Sequence, residues 1–442
     1  MEEVRVELWL LTVCFFATLI ILLLLGLPIA FSLGGVAILY SYLLWGPKSL
    51  LVIPSAVHAD GSNFILAAVP LFVLMGNMLE VSGLADDLYE MMYRWFQRIP
   101  GGLASGTVLI CTVFAAMAGI SGVATVTMGL IAIPSMLKRG YHKDLAIGTV
   151  SAGGALGILI PPSVIAILYG SITGASVGKL FIGGMLPGLI LACIFIFYIT
   201  LRCIIQPHLA PPPSEAERFS WREKLISLKG LVLPILLISA VLGVIYTGVC
   251  TPTEASAIGA AGSLLCCAIR GRLTWANLRT ATLRTFNVTC MCIWIVIGAK
   301  CFTSIYIGCG ASQFMMNLVH GLDISPLAFV AIMEFIYIIL GMLMDPAGMV
   351  MITAPVFVPV IISLGFDPVW FGVLFIINAE MAYITPPFGF NLFYMKAIVP
   401  EGVRMADVYR SVIPFVFCQL FCLILVMFYP QLALWLPGTM KW

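Results

Sequence analysis

Of the chain's 442 residues, 62% are hydrophobic and only 10% charged, and the mean hydropathy is +1.11. A soluble domain is about half apolar and about a quarter charged, so this composition excludes one. The net charge of +2 gives no ground for nucleic-acid binding, and at about 20 residues per span the length allows ten or more bilayer crossings. The thirteen cysteines form no C-x-x-C pair. Cys266, Cys267, Cys290, Cys292 and Cys301 lie on apolar runs and are expected to be small buried hydrophobes.

Met1 to Glu7 is acidic and leads into an apolar run with no Ala-x-Ala-like exit. Leu8 to Leu25 is therefore expected to be an anchoring first span and not a cleaved signal. Pro28 to Leu44 is the second span, and residues 46–62 are too polar for the membrane core and form an interfacial stretch. Ile65 to Val81 is the third span, and Leu84 to Arg98 is an amphipathic segment along the membrane surface. Gly101 to Leu137 has Gly119-Ile120-Ser121-Gly122 at its centre and no charge before Lys138. It is either two short spans or a re-entrant hairpin with that tip.

After the basic loop 138–143, Leu145 to Tyr169 is a span interrupted by Pro161-Pro162, where proline removes a backbone donor and clashes with the preceding turn. Ser171 to Gly178 is uncharged, and Phe181 to Leu201 is the next span. Residues 202–229 form a basic linker (Pro211-Pro212-Pro213, Arg218, Arg222, Lys224, Lys229) that divides the chain into halves.

In the second half, Leu231 to Val249 and Ala255 to Ile269 are spans on either side of Thr251-Pro252-Thr253-Glu254, where Glu254 reads as a cap. A basic loop over 270–284 precedes the span Phe286 to Ile307, which carries the lone Lys300. Leu327 to Ile362 is a second odd segment, centred on Met344-Asp345-Pro346-Ala347-Gly348. Val369 to Tyr394 contains the second break, at Pro386-Pro387, and Val412 to Leu434 is the last span.

Basic residues gather at 94–98, 138–143, 202–229, 270–284 and 396–410, and are nearly absent from 46–62, 171–178, 249–254, 308–323 and 363–368. The positive-inside rule then gives an outside N-terminus, ten crossings, and two odd segments that return to their starting side. The halves repeat. Pro134, Gly140, Pro161-Pro162 and Tyr169 recur 225 positions on as Pro359, Gly365, Pro386-Pro387 and Tyr394. Pro28 and Ser32 recur at 224 as Pro252 and Ser256, and Pro100 at 226 as Pro326. Five crossings, an odd number, separate the repeats, so they are inverted in the membrane. That pattern favours a secondary transporter over a channel or a membrane enzyme.

A helix broken at midplane exposes carbonyls that suit a cation such as Na⁺ and amides that suit an anion. Two candidate sodium sites follow, each a tip facing a break. The first combines Gly119, Ser121 and Gly122 with Ser151, Gly154, Gly157 and Pro161. The second combines Asp345, Pro346, Ala347 and Gly348 with Asn378, Ala382, Thr385 and Pro386. Small residues at such positions also serve helix packing. Ionisable residues in a span are functional by default, which marks Asp345 first and Glu380 as a coupling or gating group. Lys300 is either a substrate-carboxylate contact or, as preferred, a counter-charge to Glu334 or Glu380. No G-x-x-x-x-G-K-[ST] motif, catalytic set or metal set is present, so neither ATP hydrolysis nor another enzymatic activity is expected, and no cofactor beyond Na⁺ as coupling ion.

Thr251-Pro252-Thr253-Glu254-Ala255, Gly119 to Ala124, Leu159 to Ser163, Met344 to Ala347 and Thr385 to Phe393 together resemble the large membrane subunit of TRAP (tripartite ATP-independent periplasmic) transporters across essentially the whole chain. The resemblance implies an all-α polytopic membrane protein, with two inverted-topology repeats, re-entrant hairpins and broken helices, working as an elevator-type sodium symporter. It implies scaffold helices over 1–62 and 230–285, transport regions over 63–201 and 286–442, and a cytoplasmic linker over 202–229. It also implies a bacterial inner-membrane location, a small-organic-acid solute, a periplasmic substrate-binding protein, and a small four-helix membrane partner, expected to be separately encoded. Val123 stands where many members have a small polar residue, which removes side-chain oxygens from the first site. A stand-alone ion-coupled anion carrier without a binding protein is the alternative.

Overall fold

The computed structural model describes residues 2–96, 98–119, 121–211, 219–321 and 324–440; Ile120 of the first tip and Pro212, Pro213 and Arg218 of the linker lie outside the described residues. The described residues are helical with no strand. Eight helices are long and apolar enough to cross a membrane. Two of these eight, Ser121–Lys138 and Pro346–Ser363, are arms of the odd segments, so length alone does not identify a crossing. Leu24, Phe31, Phe197, Ile205, Phe286 and Phe421 are among many large apolar side chains left exposed on the outside, as a lipid-facing surface requires.

Both odd segments are pairs of helices. The first is Gly102–Ala118 followed by Ser121–Lys138, and the second is Pro326–Gly341 followed by Pro346–Ser363. Both prolonged spans are broken. The first runs Lys143–Ala155, a single 3₁₀ turn Leu156–Ile158, then Val164–Thr173. The second runs Pro368–Ile384, then Phe390–Ile398. The Pro161–Pro162 and Pro386–Pro387 bonds are both cis.

Helix starts follow local chemistry. Ser163, Ser176, Thr251, Thr274, Ser325, Asp345 and Asp367 each accept a backbone N–H in the first turn, and Pro252, Pro326, Pro346 and Pro368 supply the preset φ at the next position. Thr251 and Glu254 form a complete capping box, so Glu254 is a cap.

Several boundaries differ from the expectations above. Trp275–Gly308 is one helix of 34 residues, so Arg279 and Arg284 lie on it and not in a loop, and a division at 285/286 falls inside it. Thr274 caps it early, and Arg284 extends to Glu80 at 2.7 Å, a pairing that lets the helix carry charge beyond the apolar stretch. Its counterpart in the first half is interrupted, with Val52–Gly61 separated from Phe64–Val81 because Asn63 turns its side chain back onto the Ile65 N–H. The interfacial stretch is thus a 3₁₀ turn (Pro47–Leu51) and a short helix. The span expected over Phe181 to Leu201 is longer, Val177–Ile205, because Ser176 caps it. The linker is partly helical, over Trp221–Ser227. Residues 308–323 contain the helix Ala311–Gly321. The last span is Met405–Phe428, ending six residues before Leu434 because Tyr429-Pro430 stops it.

The basic segments meet on one face. Lys143 pairs with Asp407 at 2.8 Å, Arg270 with Asp87 at 2.6 Å, and Trp95 donates to the Lys224 carbonyl. The N-terminal helix lies toward the opposite end of Trp275–Gly308, where Tyr306 reaches Thr12.

The helices fall into two groups. Ile29–Trp45, Ala68–Val81, Pro252–Ile269 and Trp275–Gly308 pack on one another. The hairpins and broken helices pack with Val177–Ile205 and Met405–Phe428. The second group is packed to backbone contact: a Cβ at Gly148 would stand 2.3 Å from the Ser411 carbonyl oxygen and 2.8 Å from the Phe415 ring. Gly148→Val is expected to cost about 1–3 kcal/mol by overpacking. A lowered apparent Tm of the purified chain, read as loss of a monodisperse gel-filtration peak, checks it, since the backbone atom it meets cannot rotate away.

Candidate functional site

At the first break the tip and the broken helix touch through their backbones. Gly119, at φ +66°, accepts at its carbonyl from the Val164 N–H at 3.5 Å, and a Cβ on it would lie 2.9 Å from the Pro162 carbonyl oxygen. Only glycine combines that left-handed backbone with so close an approach. Gly154 plays the matching part on the broken helix, where a Cβ would stand 2.0 Å from Thr125 Oγ1, one turn into the second arm of the hairpin.

The second repeat completes this site. Asn391, on Phe390–Ile398, donates from Nδ2 to the Ser151 carbonyl at 2.8 Å. The Tyr394 ring lies against Gly122, 3.0 Å from where its Cβ would be. Ser121, Thr125 and Asn391 are fully buried, and Ser121 Oγ, Thr125 Oγ1 and Asn391 Oδ1 have no hydrogen-bond partner. Buried polar atoms are almost always satisfied, so three unpartnered acceptor oxygens around one tip mark it as the candidate site. Of the expected residues, the structure brings together Gly119, Ser121, Gly122, Ser151 and Gly154. Gly157 is buried in the 3₁₀ turn and Pro161 begins the cis pair. The Ser151 hydroxyl donates to the Ile147 carbonyl, so that residue offers its backbone oxygen.

Thr125, Asn391 and Tyr394 were not anticipated as site residues. Asn391 lies within the motif Thr385 to Phe393, but in the other half from a site assembled within one repeat.

The second tip differs. Asp345 caps Pro346–Ser363 by accepting from the Ala347 N–H at 2.9 Å, with the Gly348 amide and the Tyr383 side chain also hydrogen-bonded to it. Pro346 occupies the first helical position, and a Cβ on Gly348 would meet Ile29 of the other helix group at 2.0 Å. The Thr385 hydroxyl turns back to the Met381 carbonyl, and Pro386 begins the second cis pair.

Four residues sit otherwise than expected. Asn378 donates to Glu334, on the first arm of the hairpin and eleven residues before Asp345, and it lies seven residues, about 10 Å of helix, before Thr385. Ala382 packs its methyl where Gly341 has no side chain, and its carbonyl accepts from Thr385. Both pack on the first arm of the hairpin, Pro326–Gly341. Glu380 points to the last helix, where Gln419 Nε2 donates to its Oε1 at 3.1 Å. Lys300 is half-buried on Trp275–Gly308, and no ion pair of the described residues joins it to Glu334 or Glu380.

A cavity of about 560 Å³ lies between the two helix groups. Its walls include Leu27, Pro28, Ile29, Phe31 and Trp294 on one side and Asp345, Tyr383, Phe390 and Tyr394 on the other. Apolar walls with a few convergent polar groups are what a small-solute site presents. Tyr394 joins the two features, with its ring against the first tip and the cavity beside it. Among the described residues no group of three His, Cys, Asp or Glu is arranged to hold a metal ion.

Gly154→Ala is expected to push Thr125 and the hairpin arm off the broken helix. In a Ser121→Cys background this appears as faster alkylation by a small thiol reagent than in the Gly154 parent; an unchanged rate counts against the close packing described.

Residues 16–432 match the family model described as "Tripartite ATP-independent periplasmic transporter, DctM component". The chain is 34% identical, over 90% of its length and 91% of the relative's, to the C4-dicarboxylate TRAP transporter large permease protein of Pseudomonas aeruginosa. It is 29% identical, over 94% and 96%, to the sialic acid TRAP transporter large permease protein of Vibrio cholerae. In structure it is similar to the YdaH transporter of Alcanivorax borkumensis, with a TM-score of 0.66 over 95% of this chain and 98% of that one; at 13% identity this is a likeness of fold alone.

Proposed function

Since the chain belongs to the DctM component family of TRAP transporters, we propose that this large permease subunit imports a small organic acid in symport with Na⁺. The observation that carries the sodium reading is the buried trio at the first tip, Ser121 Oγ, Thr125 Oγ1 and Asn391 Oδ1, unsatisfied beside the carbonyls of Gly119 and Ser151. Neutral hydroxyl, amide and carbonyl oxygens suit a hard monovalent cation. The second ion site centres on Asp345, whose carboxylate faces the cavity beside Tyr383.

A carboxylate solute fits the same cavity. Bound Na⁺ at the tips offsets its charge, the tyrosine hydroxyls donate to it, and the apolar walls take its carbon skeleton. Relatives named for C4-dicarboxylates and for sialic acid support an acid as solute. The two packed helix groups support an elevator in which the hairpins and broken helices move as a body past the framework. The gathered basic face supports a cytoplasmic position for that side and a periplasmic N-terminus in the inner membrane. A small four-helix membrane subunit and a periplasmic binding protein complete the proposed system.

The test is uptake into proteoliposomes holding the complete system. An inward sodium gradient is expected to be required, and Asp345→Ala to impair uptake. Asn391→Ala removes one neutral ligand and is expected to raise the half-saturating Na⁺ concentration about tenfold, the equivalent of one hydrogen bond to a charged group. Full uptake without sodium overturns the coupling, and uptake of free solute with the binding protein omitted overturns the dependence on it.

A further inference from the structure

Two buried glutamates, Glu334 on Pro326–Gly341 and Glu380 on Pro368–Ile384, each meet an amide on a neighbouring helix. Asn378 Nδ2 donates at 2.8 Å to Glu334 Oε2 and at 2.8 Å to the Glu334 carbonyl. Gln419 Nε2 donates at 3.1 Å to Glu380 Oε1. All four residues are at most 3% exposed. Four atoms remain without a partner, and they are the other halves of the same two pairs: Glu334 Oε1 with Asn378 Oδ1, and Glu380 Oε2 with Gln419 Oε1. An ionised carboxylate would leave an acceptor beside an acceptor in each pair, buried and uncompensated, which is among the costliest arrangements a protein interior can hold.

No ion pair reaches either carboxylate among the described residues. The ionisable side chains around them are Tyr169 and Tyr337 beside Glu334 and Cys422 beside Glu380, all neutral as they stand. Each pair lacks one hydrogen.

We propose that Glu334 and Glu380 are neutral carboxylic acids, each closing a ring of two hydrogen bonds with its amide partner: Glu334 Oε1–H to Asn378 Oδ1, and Glu380 Oε2–H to Gln419 Oε1. The rings bind the helix Pro368–Ile384 to the hairpin arm Pro326–Gly341 on one side and to the last helix, Met405–Phe428, on the other. Both glutamates are positioning residues. They carry no coupling ion, and their role is independent of which solute travels.

Infrared spectroscopy of the purified full chain tests this without any transport assay. A carboxylic-acid C=O band is expected at neutral pH, shifted in D₂O, persisting in alkaline buffer and unchanged by sodium. Glu334→Gln and Glu380→Gln should each remove about half of it, one of the two equal rings. Glutamine sets an N–H where the acid O–H stands, so both Gln variants should keep the parent Tm, whereas Glu334→Leu and Glu380→Leu should lower it by several degrees. Absence of the band at neutral pH overturns the proposal, and so does a band that disappears on adding Na⁺, which would make each pair a cation site. A band untouched by both Gln substitutions assigns the protons elsewhere and overturns it equally.

Discussion

The structure depends on one requirement: inside a bilayer every backbone N–H and C=O must find a partner within the protein. Two helices of this chain give up that self-sufficiency at their Pro-Pro pairs; the first break is buried in protein, whereas Pro387 and Phe388 of the second are exposed. At the first break the supporting contact is direct, with the Gly119 carbonyl accepting from Val164 and the Pro162 carbonyl beneath the Gly119 Cα. Hairpin and broken helix are therefore one device in two pieces. A tip with a Cβ at position 119, or a broken helix with one at 154, could not approach closely enough to form it.

Inversion of the repeats makes the two devices share parts. The second arm of the first hairpin packs on the exit segment of the second broken helix, and the second arm of the second hairpin packs on the exit segment of the first. Asn391 and Tyr394 reach the first tip by this exchange. Repeat-related positions need not carry equal chemistry. The residue 225 positions before Asn391 is Ala166, which supplies no side-chain oxygen, and the counterpart of Ser121 is Pro346. One tip is thus built of neutral oxygens and the other around a carboxylate.

Much of the architecture was legible in the sequence because it is written in residues with one dominant backbone effect. Proline spacing exposed the repeat and both breaks, and Thr251-Pro252-Thr253-Glu254 marked a helix cap. The misjudged boundary at 285/286 lies where a cap outweighed composition: Thr274 starts a helix amid basic residues. Side-chain direction was the less legible part. Pro368–Ile384 is buried on nearly every face, so its apolar pattern has no period to show which way Asn378 or Glu380 points. The partner that decides each direction, Glu334 or Gln419, lies on another helix about 40 residues away in sequence, and no short motif connects them.

That same absence of a polar face explains why this helix is held through Asn378 and Glu380. A helix surrounded by protein on all sides gains little orientational preference from burial, since every rotation hides the same apolar surface. Hydrogen bonds fix its rotation instead. Asn378 and Glu380 are two residues apart, about 200° around the helix axis, so their partners grip it from nearly opposite sides and turning it would break both. Apolar side chains in those places would pack as well and specify less. The break at Pro386-Pro387 lies within two turns of Glu380, so the rotation fixed at 378 and 380 also sets where the loop after Thr385 and the exit segment with Asn391 begin. Buried polar pairs remote from the first tip thereby orient Asn391 and Tyr394, which reach it.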